Sequence, residues 1–275
     1  MMFKKLTASQ IEKYQDNGFV FPIDAFSSKQ ANDYLIKLEM FEKRQNREVG
    51  KGFNFKPHLL FPWVDEVARH PAILDAVEDL IGPNIRLFHL TVWPKGSGDG
   101  AFIDWHQDAT YFGLEPSMQV TAWVALSDAP VESGCMEMIP GSHRLGQLHH
   151  SENDSNKILL SRGQTVSVGL DQSNTVFMPV KAGQFSLHDT HTVHRSGPNM
   201  AAWRRVGLGF SYIPTHVRCT SRTRLTAALV RGQDSFNHFD DEVRPVEDYG
   251  VNERAFHEEA VRRFRASNDE QASNY

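Results

Sequence analysis

Only two cysteines, Cys135 and Cys219, occur among the 275 residues, and neither belongs to a C-x-x-C pair. A disulfide scaffold and a thiolate zinc site are therefore excluded, and both side chains read as buried free thiols in a reducing compartment. Nowhere do 18 uncharged apolar residues run together, so no membrane-spanning helix is expected. The opening stretch MMFKKLTASQIEKYQ has three lysines but no apolar core of a leader. Basic residues are not in excess. The 29 Lys and Arg against 34 Asp and Glu give a formal net charge of -5, which offers nothing to a nucleic-acid backbone or an anionic membrane. What these absences leave is a chain read as soluble and cytoplasmic, with neither nucleic acid nor a membrane expected as a partner.

With 40% hydrophobic residues the chain can bury a full core. It reads as one domain over 1–275, helical to about residue 82, strand-rich over about 83–221, and ending in a helical tail over about 222–275. Thr7 and Gln10 have capping-box spacing for a helix that stops near Gly18, and FVFPI at 19–23 follows as a short strand. Ser27 or Ser28 opens a second helix, in which Ala31, Tyr34, Leu35, Leu38 and Phe41 form a core stripe. From Glu48 to Pro62 the composition is that of a loop able to lie over a pocket, and Pro71 starts a helix that ends at Gly82. IRLFHLTVW, QVTAWVALS, CMEMIP, TVSVG, TVFMPV, GQFSLHD and RRVGLGFSYIP then read as strands without intervening helices, which describes an antiparallel sandwich or jelly roll. The stretch from Gly141 to Gly163 is a polar excursion whose His149-His150 pair reads as solvated. NERAFHEEAVRRFRAS is a closing helix, after which NDEQASNY frays.

One pattern carries chemistry. On a strand, His106 and Asp108 point to the same side while Gln107 faces away. Two neutral imidazoles and a carboxylate on one face of Fe(II) leave three adjacent positions for a chelating cosubstrate and dioxygen. His194, in THTVHRSGPN where a strand runs out into a turn, is the candidate third ligand; His188 and His191 are decoys at a three-residue interval. Spacing alone does not choose between Asp104-x-His106 and His106-x-Asp108. An arginine on the next strand could hold a carboxylate by two parallel hydrogen bonds, and only one of Arg204 and Arg205 can point inward.

WHQDATYFGLEP, the TAWVAL strand, SGCMEMIPGSHR, and HRSGPN leading to RRVGLGFSYIPTHVR occur in the order found in the phytanoyl-CoA dioxygenase superfamily. The chain resembles that family over roughly residues 8 to 245. The resemblance implies a mainly β fold, a double-stranded β-helix (cupin-like jelly roll) flanked by N- and C-terminal helices. It implies an enzyme using Fe(II), 2-oxoglutarate and O2, with His106, Asp108 and His194 as iron ligands. It also implies that Arg205 binds the distal carboxylate of 2-oxoglutarate beside Ser196, with Thr121 and Trp123 lining the cosubstrate pocket. FKPHLLFPWVDEVARHPAILDAVEDLIGPN and LVRGQD are more similar to bacterial small-molecule hydroxylases and carrier-tethered halogenases than to acyl-CoA hydroxylases. Halogenases of that group have Ala or Gly where this chain has Asp108, so the expected reaction is hydroxylation with release of succinate and CO2. The substrate expected first is 2-aminoethylphosphonate; another natural product, an amino acid or an acyl thioester is the alternative. Its phosphonate would need cationic groups, for which Lys56, His58 and Arg162 in predicted loops are candidates. Gln107 either touches substrate or serves the sheet surface. A reading from another class is a non-redox cupin-type metal-binding module.

Overall fold

The computed structural model describes residues 3–51, 53–151, 158–160, 163, 165–166 and 172–272. In chain order the strands of its two larger sheets are β1 (Phe19–Asp24), β2 (Ile85–Lys95), β3 (Ile103–His106), β4 (Val120–Ala125), β5 (Met136–Met138), β6 (Val176–Met178), β7 (Gln184–Asp189), β8 (His194–Ser196), β9 (Arg205–Pro214), β10 (Thr226–Arg231) and β11 (Asp240–Asp241). The major sheet has the order β1-β7-β4-β9-β2-β10-β11, and the minor sheet the order β3-β8-β5-β6. All pairings are antiparallel except β10 with β11. This is the jelly roll expected.

The helices are α1 (Ala8–Asn17), α2 (Ser28–Gln45), α3 (Pro62–Ala68), α4 (Pro71–Ile81) and α5 (Val251–Ala272). Both expected capping boxes form, Thr7 with Gln10 and Ser27 with Gln30, and Gly18 ends α1 in the left-handed region. The first four helices cover the outer face of the major sheet. Leu38, Phe41, Val67, Ile73 and Val77 pack there against Leu87, Leu90, Val92, Val124, Leu187, Leu208 and Phe210. The Tyr212 hydroxyl donates to the Ala68 carbonyl at 2.7 Å across that interface.

The alternation that sends those apolar residues outward sends their strand neighbours inward, between the two sheets. In β2 a register shift opposite Ser211 and Tyr212 re-aims the chain, so that Leu90 and Val92 join the outer core while His89, Thr91 and Trp93 face inward. In β9 two inward positions are glycines. A Cβ on Gly207 would collide with the Trp123 ring, and one on Gly209 would stand 2.9 Å from Trp93 Nε1.

Several expectations need correction. Thr226–Arg231 and Asp240–Asp241 extend the major sheet into the segment read as a helical tail, because the run Thr-Ala-Ala-Leu-Val finds the open edge of β2. α3 and the 3-10 turns at Val49–Lys51 and Pro57–Leu59 occupy ground read as loop or left unassigned. α5 continues through Asn268 to Ala272 rather than fraying after Ser267. Of TVSVG, only Thr165–Val166 lies within the described residues, as a strand paired with His150–Ser151.

Candidate metal centre and cosubstrate pocket

His106 is the last residue of β3, and it stands directly opposite His194 of β8 in the minor sheet. That cross-strand pairing brings two histidines 88 positions apart in the chain to a ring separation of 4.1 Å. Gln107 keeps an extended backbone and Asp108 opens a 3-10 turn, so the carboxylate returns to the face that His106 occupies. Asp108 Oδ1 lies 3.7 Å from His106 Nε2 and 3.8 Å from His194 Nε2. Among the described residues this is the one group of three or more such side chains whose ligand atoms converge, all within 4.8 Å.

The tautomers suit a metal. His106 Nδ1 lies 2.9 Å from the Asp104 carbonyl, and His194 Nδ1 lies 2.9 Å from the Thr192 carbonyl. A carbonyl only accepts, so each Nδ1 carries the proton and each Nε2 lone pair faces the other two donors. Burial, helped by His106 and His188, holds the His194 imidazole well below its ordinary pKa and keeps it neutral. Burial pushes the Asp108 carboxyl up, but the closely facing His106, His188 and His194 rings outweigh this and hold it well below its usual value. The donor set is thus the one a divalent cation requires, two neutral nitrogens and an anionic oxygen.

The second oxygen of Asp108 is held separately. Thr121 Oγ1 donates to Oδ2 at 2.8 Å, and His188 Nε2 approaches it at 3.3 Å. Thr121 and His188 are themselves a cross-strand pair of β4 and β7. Thr121 therefore supports the carboxylate while also lining the cavity that holds Trp123 and Arg205. His188 is not among the converging donors, as expected of it, but it lines the site. Its signal in the sequence was the alternation Ser186-Leu187-His188, which places it inward with the site strands.

The other ambiguities resolve by direction. Asp104 contributes its carbonyl to His106, while its carboxylate takes the Trp105 amide. His191 sits at the surface against Asp189 and Ser117. Arg204 points to the outer side and grips Glu42 with bonds of 2.6 and 2.8 Å. Arg205 points inward and is 1% exposed. Its Nη1 donates to the Gly134 carbonyl at 2.6 Å and to Ser196 Oγ at 3.1 Å, and its guanidinium lies 5.1 Å from the centre of the Trp123 ring. Nε has no partner, and among the described residues no carboxylate pairs with the group. Burial lowers its pKa to about 10, so it stays charged at neutral pH. A buried guanidinium without a counter-ion fits an incoming carboxylate. Lys95, unnoticed in the sequence, braces the same corner through the Ser196 carbonyl and hydroxyl and the Gly197 carbonyl, at 2.8, 2.6 and 2.5 Å.

Arg205, Ser196, Trp123 and the triad line one cavity, and a second opens from the same His106 and Asp108. The expected substrate cations are not in either. Lys56 is 1% exposed and bonds Glu242 Oε1 at 2.5 Å, while His58 Nε2 meets Oε2 of the same carboxylate at 2.7 Å. Both are spent on a buried ion cluster and cannot hold a phosphonate. Arg162 lies outside the described residues. Gln107 is fully buried; its amide donates to the Gly146 and His191 carbonyls and accepts from the Leu148 amide, so in this structure it ties loops together. His150 is not solvated either. Burial drives its pKa to about 4, and its Nε2 accepts from the Gln107 amide at 3.0 Å. Cys135 is a buried free thiol, pushed up to about 11 by burial, and Cys219 is free and half-buried.

Residues 6–207 match the phytanoyl-CoA dioxygenase (PhyH) family. The chain belongs to that family. The chain is 26% identical over 224 residues to a probable alpha-ketoglutarate-dependent hypophosphite dioxygenase of Stutzerimonas stutzeri, covering 74% of this chain and 78% of that one. It is 25% identical over 231 residues to an ectoine dioxygenase of Bordetella parapertussis, covering 75% of each. Among solved structures, the apo form of the non-heme monooxygenase ThoJ superposes with a TM-score of 0.86 at 30% identity, over 97% of this chain and all of that one. The protein is a 2-oxoglutarate-dependent non-haem iron dioxygenase, with Fe(II) as its metal and 2-oxoglutarate as its cosubstrate. Among the described residues no helix is long and apolar enough to cross a membrane.

Proposed function

We propose that this PhyH-family enzyme hydroxylates a C-H bond of a small molecule, coupled to conversion of 2-oxoglutarate to succinate and CO2. His106, Asp108 and His194 hold the iron, and Arg205, with Ser196 and Trp123, takes the distal carboxylate of 2-oxoglutarate. The observation that carries this reading is the shared cavity: three convergent donors at one point of it and a buried arginine without a counter-ion at another. Bound iron supplies oxygen activation, and the cosubstrate supplies the electrons for it.

The chain's own residues set the conditions. The Nδ1-tied imidazoles keep His106 and His194 in the ligating tautomer before any metal arrives. Thr121 and His188 occupy Asp108 Oδ2, leaving Oδ1 as the oxygen that faces the metal. Asp108 itself occupies the place a halide would need, which supports hydroxylation over halogenation. The two relatives are named for small polar substrates, hypophosphite and ectoine. For 2-aminoethylphosphonate the cavities provide no support, since Lys56 and His58 are committed to Glu242.

The test is anaerobic addition of Fe(II) and 2-oxoglutarate, expected to give a visible charge-transfer band that Asp108→Ala abolishes. Absence of the band from the wild-type protein, or its survival in the variant, would overturn the assignment.

A further inference from the structure

The second cavity leaves the triad between β2, the turn that starts at Asp108, Leu159–Leu160 and α5. Phe55, Trp93, Phe112, Leu160 and Phe264 give it aromatic and aliphatic walls, and among the described residues no lysine or arginine lines it. Among the described residues its only acid is Asp108, already engaged by Thr121 and His188. The ionic cluster behind the wall is closed on itself, Lys56 and His58 on Glu242. His89 also lines this space. Its ring stacks on Phe264 at 4.2 Å and 14°, and burial, reinforced by Lys56 and His58, holds it well below its ordinary value and therefore uncharged. Against the described walls an ion would give up water without meeting a counter-charge.

Two of the lining residues come from α5. Phe264 and Asn268 are four positions apart, hence on one face of the helix, and both lie beyond the 6–207 stretch that matches the family. Asn268 has no hydrogen-bond partner among the described residues, so both its donor and its acceptor are available to a ligand. The part of the wall that other family members need not share is therefore an aromatic ring and a free neutral amide.

We propose that α5 is the specificity element of this enzyme, and that Phe264 and Asn268 select an uncharged, ring-bearing part of the substrate whose polar group meets the Asn268 amide. This rests on the iron and 2-oxoglutarate reading of the triad and adds the chemical class that is presented to it.

The test uses the whole chain loaded with Mn(II) and 2-oxoglutarate, and three probes that differ only in charge: 3-phenylpropanamide, 3-phenylpropanoate and 3-phenylpropylamine as its ammonium. Paramagnetic relaxation of the probe protons reports binding beside the metal without requiring turnover. The amide should be relaxed at least tenfold more strongly than either ion. Asn268→Asp, a near-isosteric change on a partly exposed helix face, should reverse the order of amide and ammonium. Equal relaxation of amide and carboxylate, no relaxation of the amide, or an unchanged amide-to-ammonium ratio in Asn268→Asp overturns the proposal while the metal reading stands. Failure of the protein to bind Mn(II) at all, followed by its electron paramagnetic resonance signal, removes both.

Discussion

Replacing Glu242 by leucine should destabilise the protein by about 3–5 kcal/mol, the range for removing one partner of a buried ion pair. The Glu242 and Lys56 side chains are 1% and 2% exposed. Oε1 accepts from Lys56 Nζ at 2.5 Å and from Thr226 Oγ1 at 2.6 Å, and Oε2 meets His58 Nε2 at 2.7 Å. Without the carboxylate, Lys56 Nζ keeps the Phe88 and Thr226 carbonyls but has no counter-charge. The double change Lys56→Met with Glu242→Leu removes both charges and should recover most of the loss. Acid supplies an independent check. Burial raises the Glu242 carboxyl, but Lys56 and His58 outweigh it and hold the folded-state value well below the ordinary 4.5. A group depressed in this way contributes stability that is complete above its unfolded-state value and is lost as pH falls toward the folded one. Between those two values the wild type should therefore lose about 1.4 kcal/mol per pH unit from this residue as pH falls, and the gap to Glu242→Leu should close at that rate. Urea unfolding followed by tryptophan fluorescence, from neutral pH into acid, measures both. A loss under about 1 kcal/mol at neutral pH, or a gap that stays constant in acid, would refute the reasoning.

Thr121→Val keeps the shape of the side chain and removes the donor to Asp108 Oδ2, so Fe(II) affinity should fall about 10- to 100-fold, measured by competition with a chelating dye; His188→Phe should act in the same direction. Arg205→Lys preserves charge but not the planar fork, and should raise the 2-oxoglutarate requirement by about tenfold or more while changing the Fe(II) requirement little. Equal effects on both would show that Arg205 does not hold the cosubstrate. Lys56→Ala should lower stability without changing the probe preference of the outer chamber, because Lys56 faces Glu242 and not the cavity.

Local chemistry was legible in the sequence wherever it acts through neighbours. The Thr7 and Ser27 boxes, Pro71 at the start of α4, and the period-two strands needed only spacing. The His106-x-Asp108 pair was visible because strand alternation puts both residues on one face, but choosing Asp108 over Asp104 from the residues alone required knowing which carboxylate His194 would face. Directions decided by distant pairing stayed hidden. Lys56 and His58 resemble surface cations until Glu242, more than 180 positions later, folds back onto them. The Thr226–Arg231 strand is a short apolar run with arginines on either side, and only the free edge of β2 makes it sheet. α3, at seven residues, is too short to show a helical period.

Gly207 and Gly209 give β9 two separate adjustments within one strand. Trp123, which Gly207 admits, lies under Arg205 on the cosubstrate side, whereas Trp93, which Gly209 admits, also forms a wall of the outer chamber. A methyl group added at 209 pushes on the indole that shapes the outer space and leaves Trp123 alone; one added at 207 disturbs the ring beneath Arg205. Gly209 itself lines the Arg205 cavity, so redesign of what the enzyme accepts starts at α5, with both glycines kept unchanged to preserve the machinery that every turnover needs.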